Sequence, residues 1–377
     1  MKNLSLLVSF AFISFSIQAQ IENVDEKFTL PETVAESSGA IFFNGKLITH
    51  NDSGNENRLY EVDTISGAIT RTVTITNAEN KDWEDIAQDE EYIYIGDFGN
   101  NNGNRTDLKI YKIIKSDYLN DTNVTAEVIS FSYKDQTDFT SNTNNTPWDA
   151  EALISFNENN LVLFSKNWVD NITLAYSIPK AVGDYQITAL PNSLNSNGLI
   201  TGATYNTYTN KLYLVGYSSN LQPFVWVVEG FTDSGFSNLN TQTQLTSLAL
   251  EQVEGITFVN ENRFFITSES FNVSVGGFTL SDTAKLISFS TNDTSLNNND
   301  ETLQNKYNVT VYPNPVKHSL NIDTVGFDYI ELFGMHSKRL LISQDKQLDM
   351  QKYHQGVYLL KIHLDQGQTV FKRLVKI

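Results

Sequence analysis

The sequence predicts an all-β protein in two parts, a radial array of small antiparallel sheets followed by a smaller sandwich. Three observations carry that expectation. Short alternating strands separated by Gly, Asn, Asp and Ser turns run along the whole chain. One polar phrase returns five times at intervals that suit a small sheet. The charge balance reverses near Thr302: residues 3 to 302 hold 15 Lys and Arg against 38 Asp and Glu, and residues from 303 onward hold 10 against 6.

The elements follow in chain order. Lys2, the apolar run Leu6 to Ile17 and then Ala19 read as a secretory signal peptide over residues 1–19, with cleavage near Ala19. That run is short and carries Ser9, Ser14 and Ser16, unlike the roughly 20 apolar residues of a membrane span, and no later segment is apolar for as long. No transmembrane segment is therefore expected. The chain has no cysteine among its 377 residues, which excludes a lipid-attachment cysteine, a disulfide framework and a thiolate metal site.

The body, residues 22–290, carries the returning phrase: Ser37-Ser-Gly-Ala-Ile41, Trp83-Glu-Asp-Ile-Ala87, Ala150-Glu-Ala-Leu-Ile154, Ile200-Thr-Gly-Ala-Thr204 and Val253-Glu-Gly-Ile-Thr257. Each is followed by two alternating strands, as in Lys46 to Thr49 and Leu59 to Val62, so each unit is a β-meander. The anchors Ser38, Glu84, Glu151, Thr201 and Glu254 are spaced by 46, 67, 50 and 53 residues. Meanders of that size pack radially as a five-bladed β-propeller, because neighbouring sheets then cover both faces of each blade. The segment Glu26 to Pro31 is the candidate outer strand of the fifth blade, and Ala126 to Tyr133 that of the second. A six-bladed propeller is the alternative, since the step from Glu84 to Glu151 leaves residues over.

In such a ring the innermost strands face the axis, so the five anchors converge. Three carboxylates and two hydroxyls directed at one channel repel unless they are protonated, solvated or neutralised by a cation. Oxygen-only ligands suit calcium, making Ser38, Glu84, Glu151, Thr201 and Glu254 the candidate metal ligands. Zinc is disfavoured, because the body holds only His50 and no cysteine. The competing reading makes the anchors solvated polar caps at a channel mouth.

The order Ser, Glu, Glu, hydroxyl, Glu, together with Glu36-Ser-Ser-Gly-Ala-Ile-Phe-Phe-Asn-Gly-Lys-Leu47 and Glu254-Gly-Ile256, resembles the calcium-activated nucleotidase (apyrase) family. Similar E-G-[IL] phrases occur in phytase-like and SdiA-regulated propellers. The resemblance implies a five-bladed fold with central calcium and hydrolysis of nucleoside di- and triphosphates. The family's phosphate-binding basic residues do not carry over: those places read His50-Asn-Asp-Ser-Gly54 and Ser165-Lys-Asn-Trp168. Arg58, Arg105, Lys166 and Arg263 remain as basic candidates and read as solvated surface charges.

Other chemistry is weakly represented. A Ser-His-Asp triad would have to use His50, and no G-x-S-x-G elbow surrounds any serine. Glu84 and Glu151 could serve as a glycosidase carboxylate pair, and Trp83, Trp148, Trp168 and Trp226 as a stacking platform; Trp83 and Trp148 read as packing residues. The loop Gly96 to Arg105 is either a binding rim or a plain connection. The net charge of −18 excludes a nucleic-acid footprint, which needs a basic surface.

Residues 291–305, rich in Asn, Asp, Ser and Thr, read as a linker. Residues 306–377 then carry Tyr312-Pro-Asn-Pro315, Leu320-Asn-Ile322, Tyr329 to Phe333, Gly356 to Ile362 and Phe371 to Ile377, short strands of a small β-sandwich. In that order they resemble the type A sorting domain of the type IX secretion system. The resemblance implies passage through the periplasm to the outer-membrane surface or the medium, with the secretion machinery as partner. The functional expectation is a calcium-binding propeller presenting a loop face to a glycan, protein or phosphate-ester ligand. A calcium-dependent phosphate-ester or nucleotide hydrolase is the alternative.

Overall fold

The computed structural model describes residues 21–275, 278–294, 309–334, 339–365 and 369–377. The expected signal peptide and residues 295–305 of the expected linker lie outside the described residues. The chain divides into two compact units, Met1–Asp293 and Thr294–Ile377, and both are built from strands.

The first unit holds five sheets of three to five strands. The first sheet runs in sequence order through Ser37–Phe43, Lys46–Asn51, Arg58–Val62 and Ile69–Ile75. The second runs through Trp83–Gln88, Tyr92–Asp97, Lys109–Ile114 and Glu127–Tyr133. The third has Ala150–Ser155, Asn160–Ser165 and Ala175–Pro179, and the fourth Leu199–Asn206, Lys211–Tyr217, Pro223–Glu229 and Asn240–Gln244. The fifth has Gln252–Phe258, Arg263–Glu269 and Lys285–Thr291, with Ile21–Thr29 added antiparallel to Lys285–Thr291. The segment expected from Glu26 is thus a longer strand that begins at Ile21.

Strand alternation explains why these sheets are apolar on both faces. Ala40, Leu47, Tyr60 and Val62 of the first sheet pack with Phe265 and Leu286 of the fifth, while Ile41, Ile48 and Leu59 on the opposite face pack with Ile86, Ile93 and Ile95 of the second. The second and third sheets share Tyr94, Ile110, Leu153 and Leu163. The third and fourth share Ile154, Phe164, Leu212 and Trp226, and the fourth and fifth share Tyr213, Val225, Ile256 and Ile266. Each buried aliphatic side chain in these layers contributes about 1.5–3 kcal/mol.

The residues left over between Glu84 and Glu151 supply no sixth sheet among the described residues. They form the short helix Lys115–Asn120, the strand Asn123–Val124, which pairs parallel to Ile69–Ile75, and a loop after Tyr133. That loop bonds to the Asn-rich loop before it, with Asn142 N–H donating to the Asn102 carbonyl and Asn144 N–H to the Asn101 carbonyl, both at 2.9 Å. Another strand, Gly183–Ile187, leaves the third sheet and pairs parallel to Glu127–Tyr133 of the second. At the far end, Thr291 is the last residue of its strand, and Asp293 is buried against the Lys211 ammonium at 2.6 Å. Ladder and ion pair hold in the body the first residues of the segment expected to be linker.

The second unit has a three-stranded sheet, Thr310–Tyr312, Ser319–Asp323 and Gln347–Asp349, and a four-stranded one, Arg339–Ser343, Phe327–Phe333, Gly356–Leu364 and Thr369–Lys376. Leu320 and Ile322 from the first and Ile330, Leu332, Leu360 and Ile362 from the second bury one shared core, which makes the unit a small sandwich.

Candidate metal centre

The five returning phrases lie on the first strand of the five sheets, and each anchor falls at a break in its ladder. Pairing slips between Ser37 and Gly39, Trp83 and Ile86, Ala150 and Ala152, Ile200 and Gly202, and Val253 and Gly255. Ser38, Glu84, Glu151, Thr201 and Glu254 are therefore bulge residues, left out of the ladder and re-aimed by the local kink. That is why a polar residue interrupts an apolar strand at each position.

All five anchors are buried, but they do different work. The Ser38 hydroxyl donates to the Glu84 carbonyl and the Thr201 hydroxyl to the Val253 carbonyl, each at 2.6 Å, so both tie one first strand to another. The carboxylates gather with groups the sequence reading passed over. Oxygens of Glu84, Asp149 and Glu151 lie within 4.8 Å of one another, and so do those of Asp52, Asp82 and Glu84. Glu84 belongs to both triads. Glu254 takes part through Lys166, whose charge acts on it as well as on Glu151.

Local structure fixes this cup. Asn80 donates from its side chain to the carbonyls of Asn51 and Asp52, at 2.9 and 2.7 Å, which brings Asp52 beside the segment carrying Asp82. The Asp149 carboxylate accepts from the Asn100 N–H at 2.6 Å and from the Trp168 indole at 2.7 Å. Gly99 lies so close to Glu84 and Asp82 that a Cβ there would collide with both carboxylates. Arg105 closes one side, bonded to Asp97 at 2.9 Å and standing 4.0 Å from Asp82.

Electrostatics follow from burial. Burial, reinforced by neighbouring carboxylates, pushes Glu84 well above the usual carboxylate range. Glu151 and Glu254 are also raised well above it by burial, against the opposing pull of Lys166. Burial pushes Asp82 up to about 7, helped by Asp52, and pushes Glu269 up to about 7 as well. The cup therefore resists carrying all its negative charge without a counterion.

One further carboxylate stands apart. Asp85 is completely buried, and its oxygens accept the N–H groups of Ile86 and Leu153 at 2.8 Å and of Ala203 at 3.3 Å, joining the first strands of three sheets. The other phrases have Gly39, Ala152, Gly202 and Gly255 at the matching position, which leaves room for this one side chain.

Of the four basic residues expected on the surface, Lys166 is buried instead and Arg105 is half-buried. Lys166 pairs with Glu151 at 3.1 Å and Arg105 with Asp97, whereas Arg58 makes a surface pair with Glu56 and Arg263 is exposed. Carboxylates reachable only through the fold make the interior the better place for the first two. His50 is fully buried edge-on against Trp83, and burial lowers its pKa to about 4, so it is a neutral packing residue. Trp83 and Trp226 are buried in apolar layers, and Trp168 bonds Asp149, so the four indoles form no common platform.

The class of protein these observations define is an all-β protein of two units whose first unit holds a buried acidic cup. Residues 310–376 match the family model of the secretion system C-terminal sorting domain. The protein is exported by type IX secretion to the cell surface or beyond, and no helix among the described residues is long and apolar enough to cross a membrane. No curated protein matches the chain. Similar solved structures include the extracellular domain of a B. thetaiotaomicron protein, at 10% identity and a TM-score of 0.31, covering 91% of this chain and 57% of that one. The chain thus spans little more than half of that structure. Two glucose dehydrogenases are similar at 9% and 7% identity, with TM-scores of 0.39 and 0.40, each covering 71% of this chain and 98% of theirs.

Proposed function

We propose that the body is a five-bladed β-propeller that holds a calcium ion in the acidic cup and presents its loop face to a ligand at the cell surface. The blade reading is supported by the apolar layers that join successive sheets and also the fifth to the first. The calcium reading rests on Glu84. Its carboxyl group is buried, shared by both acidic triads and hydrogen-bonded to Glu151, and the charged groups that act on it most are carboxylates. The donors are all oxygens, which fits a hard cation. Asp52, Asp82 and Glu84 would hold the ion, and calcium would supply the positive charge that keeps them ionised beside Asp149 and Glu151.

Ligand binding is preferred to the calcium-dependent hydrolase reading, because the two basic residues beside the cup, Lys166 and Arg105, are engaged by Glu151 and Asp97. Calorimetric titration with calcium chloride tests the site. The wild-type protein should bind calcium and melt at a higher temperature with it, while Glu84→Gln should lose most of both effects. Magnesium should substitute poorly, since it demands a tighter octahedron. A melting point indifferent to calcium and chelator would refute the calcium site.

A further inference from the structure

The acidic cup already contains a cation. Lys166 follows the strand Asn160–Ser165 and is only 6% exposed. Its ammonium lies 3.1 Å from Glu151, with the rings of Trp168 and Tyr217 at 5.1 and 5.8 Å. A buried ammonium needs an opposite charge beside it, and the Glu151 carboxylate, itself buried, supplies that charge.

Its position divides the acids. Glu151 and Glu254 have Lys166 as their opposing charge. Glu84, shared by both triads, has carboxylates as the charged groups that act on it most, Glu151, Asp52, Asp82 and Asp149. Lys166 nevertheless reaches the other half electrostatically, since its charge also acts on Asp52 and Asp149.

We propose that Lys166 is a tethered cation that occupies the Glu151 side of the cup, limits the protein to one divalent ion on the Asp52, Asp82 and Glu84 side, and weakens the affinity for that ion. The inference rests on the calcium reading of the cup. It makes Lys166 a specificity-determining residue, and it separates this lysine from any role as a clamp for an anionic ligand, because its ammonium is held inward by Glu151.

Calcium titration of the full chain by calorimetry, with Lys166→Gln and Lys166→Arg beside the wild type, tests it. The wild type should take one ion. Lys166→Gln should take a second, or bind the first about tenfold more tightly, as expected when one nearby like charge is removed. Lys166→Arg keeps the charge and should match the wild type. Equal stoichiometry and affinity in wild type and Lys166→Gln would overturn the inference while leaving the calcium site standing. Binding by Lys166→Gln alone would support the tethered cation and refute the wild-type calcium site, and binding by neither would overturn both. Acetic anhydride labelling of the wild type, read by mass spectrometry, requires no folded variant. Lys166 should stay unlabelled with and without calcium, and labelling that appears on calcium addition would show displacement and overturn the inference.

Discussion

Raising the pH in the presence of a chelator should destabilise the body. Asp82 is pushed from an ordinary value of 3.8 up to about 7 by burial and by Asp52. Above the unfolded value the unfolded chain has released this proton while the folded chain still holds it, so the folded state binds more protons and stability falls as pH rises. The loss begins above the unfolded pKa and is complete once the pH passes the folded one. One proton tilts the unfolding free energy by about 1.4 kcal/mol per pH unit, so moving from about pH 5 to about pH 7 should cost about 2–3 kcal/mol for this group. Glu269, also pushed up to about 7, acts in the same direction over the same window. Urea unfolding followed by tryptophan fluorescence measures this in the full chain, since all four tryptophans lie in the body. Calcium should flatten the profile, because it favours the ionised cup. A stability in chelator that is level or rising over this range would refute the reasoning.

Three further outcomes are expected. Gly202→Ala drives a Cβ into the Glu254 carbonyl oxygen, a backbone atom, and should destabilise the body by about 1–3 kcal/mol in urea unfolding. A loss below about 0.5 kcal/mol would count against that contact. Asp85→Ala strands three buried N–H groups and should cost about 3 kcal/mol or more in the same assay, or prevent folding. Removing residues 303–377 should leave a folded body confined to the periplasm, and cell fractionation that finds it at the surface would contradict the role of the sorting domain.

Much of the fold is written locally. The phrases around Ser38, Glu84, Glu151, Thr201 and Glu254 mark the first strands because a bulge needs no apolar side chain, and the following strands alternate in plain view. The parallel additions of Asn123–Val124 and Gly183–Ile187 left no such trace, since pairing across sheets has no local pattern. The cup was half legible. Asp82-Trp-Glu84 and Asp149-Ala-Glu151 share a D-x-E spacing at the start of a first strand, a signal that could have found Asp82 and Asp149. Asp52 comes from a different sheet and is brought in by Asn80, and the burial of Lys166 depends on carboxylates contributed by other sheets. Those are properties of the assembled fold, not of any segment.

The strand Ile21–Thr29 has a consequence for the order of folding. It completes the fifth sheet against Lys285–Thr291, and its Asn23 side chain donates to Ser290, 267 residues away. The earliest strand of the body therefore waits without its partner until nearly the whole body has emerged. A contact of such long range is slow to form, because the intervening loop must close first. The fifth sheet is therefore closed last, and a body cut short before Lys285 would leave Ile21–Thr29 as an unpaired strand.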